Sequence, residues 1–355
     1  MARIKHNNIW LLLMLIIYSI VFGLRYGVGY DFFSYSALYE IVQTGWDNIA
    51  IDRLEIGFVK IMQIIAKFNC DSAVFFGIVA FLQLFFSILA FKDEKRLLQC
   101  IIFVFILGGT AISYANGLRH ILAVGLWILS VKYAVERRYI IHYAILLLAF
   151  TMHKSALLLF VMYPVLNLRK EWFHNIKTQL IILVGALILM NVNIIQIVLS
   201  KIDKIIEFAG YIHYVERNSE DINMDVSLGI GFYCILLTNI IIILFSNRIK
   251  EFFNDSYITK LYDLFFIGVI LGYAFIDSLL IQRFNYYFTN ISFIIIGVAM
   301  YYGLYKNRAI YWSMILLTFI KFIGIMYKAE LNTALFVFNW QKEYFHYKFF
   351  IYQLN

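Results

Sequence analysis

The sequence predicts an all-α polytopic membrane protein, and three observations carry that expectation. Hydrophobic residues make up 63 % of the 355-residue chain and charged residues 15 %, with a mean hydropathy of +0.78, whereas a soluble domain is roughly half apolar and a quarter charged. Runs of about twenty apolar residues recur along the chain, each long enough to cross a bilayer as a helix. The period-two alternation of tilted β-barrel strands is absent. A single integral membrane domain over residues 1–355 is expected, with about 11 transmembrane helices.

Basic residues set the orientation, because they concentrate in cytoplasmic loops. The amino terminus carries Arg3 and Lys5 and lacks a small-residue cleavage site, so it reads as cytoplasmic and as part of a retained first helix, 9–24. A loop over 25–53 follows on the far side. The apolar stretch 54–68 is short and carries Glu55, Lys60 and Lys67, which makes it a re-entrant or interfacial helix. The second span, 72–91, returns to a charged loop at 92–96, the third, 97–115, exits to a turn at 116–120, and the fourth, 118–135, returns to Arg137 and Arg138. The segment 139–168 has basic residues at both flanks. Two short helices turning at 152–155 satisfy the charge rule where one tilted span would break it.

The seventh span, 179–200, exits. An amphipathic surface helix near 201–215 sets Ile202, Ile205, Ile206, Ala209 and Ile212 opposite Lys201, Lys204 and Glu207. Spans at 227–246, 261–276, 284–304 and 309–327 complete the set, with a basic cytoplasmic loop at 247–260 and an aromatic tail over 328–355 that reads as an interfacial belt. The formal charge of +8 is thereby accounted for by cytoplasmic loops, and no nucleic-acid partner is expected. Cys70, Cys100 and Cys234 form no C-x-x-C pair, so neither a disulfide framework nor a zinc site is supported.

On this topology Arg25, Asp31, Glu55, Arg119, His120, His153, Lys154, Asp277 and Arg283 all fall on one side. Arginine near a bilayer costs a few kcal/mol unless it snorkels, pairs or faces a watery cavity. Arg25, Arg119 and Arg283 therefore read either as a cationic pocket for phosphate, which guanidinium grips through paired hydrogen bonds, or as anchors and ion pairs, such as Arg25 with Asp31. Gly27-x-Gly29 follows a span and not a strand, so it marks a sharp turn and not a dinucleotide site. His153 is a general base or a structural turn residue. Glu55 is a second candidate carboxylate or a helix amino-terminal charge. Asp31 is a proton acceptor or the holder of Arg25.

These segments resemble the EpsG family of polysaccharide polymerases, related to the Wzy O-antigen polymerases. The resemblance rests on Arg25-Tyr26-Gly27-x-Gly29-x-Asp31-x-x-x-Tyr35, Glu55-x-Gly57-Phe58, Leu118-Arg119-x-x-x-Ala123, Ala149-x-x-x-His153-x-Ser155-Ala156 and Gln282-Arg283-x-x-x-Tyr287-Phe288. His120 stands where the family pattern has glutamine, and the family's carboxy-terminal Pro-Tyr is missing. The resemblance implies a glycosyltransferase of the bacterial inner membrane with a periplasmic site. It would move a glycan from undecaprenyl diphosphate to a hydroxyl of another lipid-linked repeat unit, without metal or cofactor. Arg25, Arg119 and Arg283 would bind the diphosphate. His153, Asp31 and Glu55 would be the candidate catalytic groups, supported by Tyr35, His120, Gln282 and Tyr287. The undecaprenyl-diphosphate-linked oligosaccharide, the lipid bilayer and a chain-length regulator are the partners so implied.

Two other classes compete. A lipid-linked oligosaccharide flippase would spread charges along a pathway through the span interiors, often with internal repeats; here the charges gather at one face. A membrane O-acyltransferase would use His153 but leave the three arginines without a role.

Overall fold

The computed structural model describes residues 9–29, 31–45, 54–168, 171–190, 229–276 and 278–328, with 338–339, 344–345 and 348–349. They gather into two compact units, one up to Leu168 together with the residues from Thr318, the other Arg169–Leu317.

The first unit begins with α1 (Ile9–Gly23), a short strand β1 (Arg25–Tyr26), α2 (Phe32–Thr44) and α3 (Ile56–Ala66). It continues through α4 (Ser72–Ile88), which a 3-10 turn prolongs to Phe91, α5 (Lys95–Leu107), α6 (Thr110–Ser113) and α7 (Leu118–Val135). Last come α8 (Tyr139–Met152), a 3-10 stretch Lys154–Val161 and α9 (Met162–Leu168). Small residues let the helices of this unit close on one another, as membrane helices do when no hydrophobic force separates lipid from side chain. A side chain on Gly23 of α1 would run into Ala73 O at 2.8 Å and Gly77 Cα at 2.9 Å on α4, and Ser19 Oγ donates to Gly77 O at 2.6 Å. Gln83 of α4 donates to Leu118 O at 3.2 Å, joining α4 to the start of α7. Beside these, Tyr39 of α2 stacks on Phe75 of α4 at 5.0 Å and donates to Cys70 O at 2.7 Å. The described part of the tail adds strand pairs: Lys348–Phe349 runs antiparallel to β1, and Phe338–Asn339 to Tyr344–Phe345.

The second unit holds α10 (Ile176–Leu189), α11 (Ile230–Phe253), α12 (Ser256–Ala274), α13 (Leu279–Thr289), α14 (Ser292–Lys306) and the first part of α15 (Arg308–Lys328). Asp255 caps α12 by accepting from Tyr257 N at 2.6 Å and Ile258 N at 3.2 Å, which meets two of the orphan donors at a helix start. Gln282 and Asn285 bolt α13 to α12. The first donates to Phe275 O at 2.8 Å and Gly272 O at 3.2 Å, the second to Gly268 O at 3.0 Å.

Among the described residues six helical stretches are long and apolar enough to cross a membrane: Ser72–Phe91, Leu118–Val135, Ile230–Phe253, Ser256–Ala274, Ile281–Lys306 and Arg308–Ile325. Five shorter apolar helices accompany them among the described residues. The all-α polytopic architecture is therefore as expected, but these lengths do not establish eleven spans. The short helix expected near 54–68 is α3, and the break expected within 139–168 falls at His153, whose φ of −155° and ψ of 124° end α8. The surface helix expected near 201–215 lies outside the described residues, as does Asp277.

Several boundaries differ from expectation. The supposed loop 25–53 contains α2, whose buried Phe32, Tyr35 and Tyr39 share one helical face. The third span is broken at Gly108 and Gly109, the latter at φ 79°, so α5 stops at Leu107. The basic loop at 247–260 is mostly helix: α11 runs on to Phe253 and α12 starts at Ser256, leaving a two-residue turn. The expected span 284–304 starts earlier, at Leu279 behind the Ser278 cap, and is interrupted near Asn290.

Candidate functional site

In the first unit, four segments far apart in sequence meet at the mouth of α7. Gly117 adopts φ 59°, a left-handed conformation open to glycine, and so aims its N–H at Asp31, whose Oδ2 accepts it at 2.8 Å. Gly29 comes so close to the same turn that a side chain there would meet Asn116 Oδ1 at 2.8 Å and Ala115 O at 3.2 Å. Arg25 is 1 % exposed, donates to Ala115 O at 3.2 Å and lies 4.7 Å from the centre of the Phe76 ring. The Arg-x-Gly-x-Gly-x-Asp spacing thus wraps the chain around the turn at 115–117.

Two residues past Gly117, Arg119 is held from two directions. Its Nη1 forms an ion pair with Glu55 Oε2, and its Nε donates to the Tyr35 hydroxyl at 2.9 Å. Glu55 sits just before α3 and is 7 % exposed. Its other oxygen, Oε1, accepts from Lys154 N at 3.1 Å, so both carboxylate oxygens are engaged. One carboxylate therefore ties α3, α7 and the break after α8 together. Gly57 lies against Thr151 and Met152 at the end of α8, which explains the small residue two places after Glu55.

A guanidinium carries five N–H donors. Among the described residues, Nε and one Nη1 hydrogen of Arg119 are engaged, and the Nη2 edge meets no partner. The Arg119 side chain is 25 % exposed, so that edge is open. Tyr35 accepts from Arg119 and keeps its own proton to give. Burial pushes its hydroxyl above the ordinary phenol value, while the Arg119 charge acts the other way. The hydroxyl is therefore a neutral donor at neutral pH.

His153 begins the 3-10 stretch. Its Nδ1 accepts from Ser155 N at 3.3 Å and lies 2.7 Å from Ser155 Oγ, and its ring stacks on His120 with centres 4.6 Å apart and planes 21° apart. Because Nδ1 accepts a backbone N–H, a neutral His153 carries its proton on Nε2 and acts as a donor there.

Of the residues expected from sequence, Arg25, Asp31, Tyr35, Glu55, Arg119, His120 and His153 belong to this first unit. Arg283, Gln282 and Tyr287 lie on α13 of the second unit. Arg283 is exposed, Gln282 anchors the helix as described, and Tyr287 is fully buried. The sequence assigned no role to Ser155, which fixes the His153 ring, or to Asn116, whose Oδ1 is buried with no hydrogen-bond partner among the described residues. Nor did it single out a buried polar cluster in the second unit. There Lys250 pairs with Glu171 and donates to Phe173 O at 2.7 Å, and Asp263 accepts from Trp172 N at 3.2 Å and lies 3.6 Å from Lys260. Asp263, near the start of the expected span 261–276, was the visible signal. Among the described residues no group of three or more His, Cys, Asp or Glu gathers as a metal-ligand set.

Helices of membrane-spanning length define an integral membrane protein, in which a braced, partly exposed arginine stands at a helix mouth. The family comparison makes this more specific. The family model described as "EpsG family" matches residues 8–349, so the chain belongs to the EpsG family, whose members are Wzy-like polymerases and glycosyltransferases. Membership points to a membrane polysaccharide polymerase. No curated protein and no solved structure matches the chain.

Proposed function

We propose that the protein transfers a growing glycan from a polyprenyl diphosphate carrier to a hydroxyl of another lipid-linked repeat unit, at the periplasmic face of the bacterial inner membrane. The observation that carries this reading is the open Nη2 edge of Arg119, fixed in place by Glu55 and Tyr35. A donor fork locked before the reaction suits a diphosphate leaving group, whose charge grows as its bond to the sugar breaks.

In the transfer, the acceptor oxygen bonds to the anomeric carbon. The bond from that carbon to the diphosphate oxygen breaks, and its electron pair leaves with the diphosphate. Arg119 and the Tyr35 hydroxyl receive the developing charge, and His153 Nε2–H donates to it. The proton of the acceptor hydroxyl goes to Asp31. Of the carboxylates, Glu55 has both oxygens engaged, whereas Asp31 among the described residues engages only Oδ2. Glu55 is then a positioning residue. Arg25, almost fully buried and bonded to Ala115 O, braces the turn.

The test is Arg119→Lys in purified protein with a lipid-linked repeat unit as substrate. A lysine offers a point charge but no paired fork, so the rate is expected to fall about 10²-fold or more, as on losing one preorganised donor. A rate within about twofold of wild type in a folded variant would rule out the leaving-group role, since twofold is well under 1 kcal/mol.

A further inference from the structure

A groove runs along the first unit between α1 and α5, floored by Leu84 of α4. Its volume is about 450 Å³, and its walls include Trp10, Ile17, Tyr18 and Phe22 of α1, Phe105 of α5 and Ala111 of α6. Nearly all of its surface is apolar. That volume falls within the range of ligand sites.

We propose that this groove seats the polyisoprenoid tail of the carrier lipid, an inference that rests on the polymerase reading for the identity of the head group. Three features select that occupant. First, the groove follows α1 from Trp10 to Phe22, which at 1.5 Å per residue is about 18 Å, more than half of a ~30 Å hydrocarbon core. Second, its walls run directly into the site. Arg25 follows Phe22 by three residues and Ala115 follows Ala111 by four, and the Arg25 to Ala115 hydrogen bond of 3.2 Å joins the two walls just beyond the groove. The next two residues of that turn are Asn116 and Gly117, the latter bonded to Asp31, and Arg119 opens the helix after it. A chain lying in the groove with its diphosphate upward would bring that diphosphate to the braced arginine; a phospholipid in the same place would offer it only a single phosphate charge. Third, the wall carries an open ring: Trp10 lines the groove and is 74 % exposed. Flat faces of this kind pack well against the methyl-branched, planar alkene units of an isoprenoid.

Ile17 is 62 % exposed and Leu13 is 42 % exposed, so either accepts a larger side chain without overpacking the helix interface. The experiment uses the full chain in lipid nanodiscs and a photoactivatable polyprenyl diphosphate that carries no sugar. Labelled peptides are mapped with and without competing unlabelled polyprenyl diphosphate or phosphatidylglycerol. Labelling is expected in α1 and α5, to be competed by polyprenyl diphosphate and not by phosphatidylglycerol. Ile17→Trp, and Leu13→Trp should the first not fold, are expected to reduce it about tenfold, equivalent to the loss of roughly two buried methylene contacts. Equal competition by phosphatidylglycerol would make the groove an ordinary acyl-chain site and overturn the proposal. So would labelling elsewhere, or crosslinking of a second copy of the chain through these residues. Because the probe has no sugar to transfer, the map reads lipid seating alone. A chain that labels as expected but fails to polymerise would refute the proposed reaction and leave the groove standing.

Discussion

Glu55→Gln separates the positioning role of this residue from a role as base. The substitution keeps the shape and one carbonyl oxygen, so a bond to either Lys154 N or Arg119 survives, but the charge that holds the guanidinium is gone. Removing one partner of a buried ion pair costs about 3–5 kcal/mol because the other charge is left behind. Arg119 is 25 % exposed, so water recovers part of that, and a loss of about 2 kcal/mol in unfolding free energy is expected. The effect on rate should be larger, since a displacement of about 1 Å at a reacting centre costs on the order of 10²-fold. The assay pairs thermal unfolding in detergent with the initial polymerisation rate of the folded fraction. If Glu55 were the base, Glu55→Gln would leave diphosphate binding intact and remove only turnover. As a positioning residue it weakens both together. Undiminished binding of polyprenyl diphosphate would refute the reasoning.

Other outcomes follow from the same geometry. Asp31→Asn keeps an oxygen for Gly117 N but cannot take a proton; the rate is expected to drop about 10²–10⁴-fold with little change in carrier binding, measured by steady-state kinetics. Gly29→Ala puts a side chain against Asn116 Oδ1 at a φ of 96°, and is expected to cost about 1–3 kcal/mol in thermal stability. Lys250→Met leaves the Glu171 carboxylate without its cation and should cost about 3 kcal/mol of stability in chemical or thermal unfolding, while the folded fraction keeps its activity.

How much was legible follows from what sets each feature. Spans such as Ser72–Phe91 and Leu118–Val135 are written in composition, because the bilayer fixes both their length and their polarity. The break at His153 was legible from basic flanks alone. What escaped was helix that does not span. α2 is short, carries Ser34, Ser36, Glu40 and Gln43, and shows itself only in the i, i+3, i+7 placement of Phe32, Tyr35 and Tyr39. Hydropathy also stops where charges start, but a helix need not. α11 continues through Arg248 and Lys250 because Lys250 finds Glu171, 79 residues away in sequence. The Gly108-Gly109 pair was the readable sign that the third span would break.

In the first unit, residue types pointed to segments that the fold brings together, but not to the contacts each residue makes there. That Arg25 is shut in against Phe76, that Glu55 is engaged at both oxygens and that Ser155 sets the His153 tautomer all depend on contacts between segments about 50 to 100 residues apart or on local backbone geometry. No spacing rule encodes them.

The central claim is that this chain joins lipid-linked repeat units by displacing polyprenyl diphosphate. Purified protein in nanodiscs, given a single lipid-linked repeat unit and no other protein, tests it most directly by mass analysis of the products. A ladder of glycans on the carrier, with one polyprenyl diphosphate released per bond formed, is the predicted result. Repeat units that stay single, or that only change leaflet in a sealed vesicle, would contradict it.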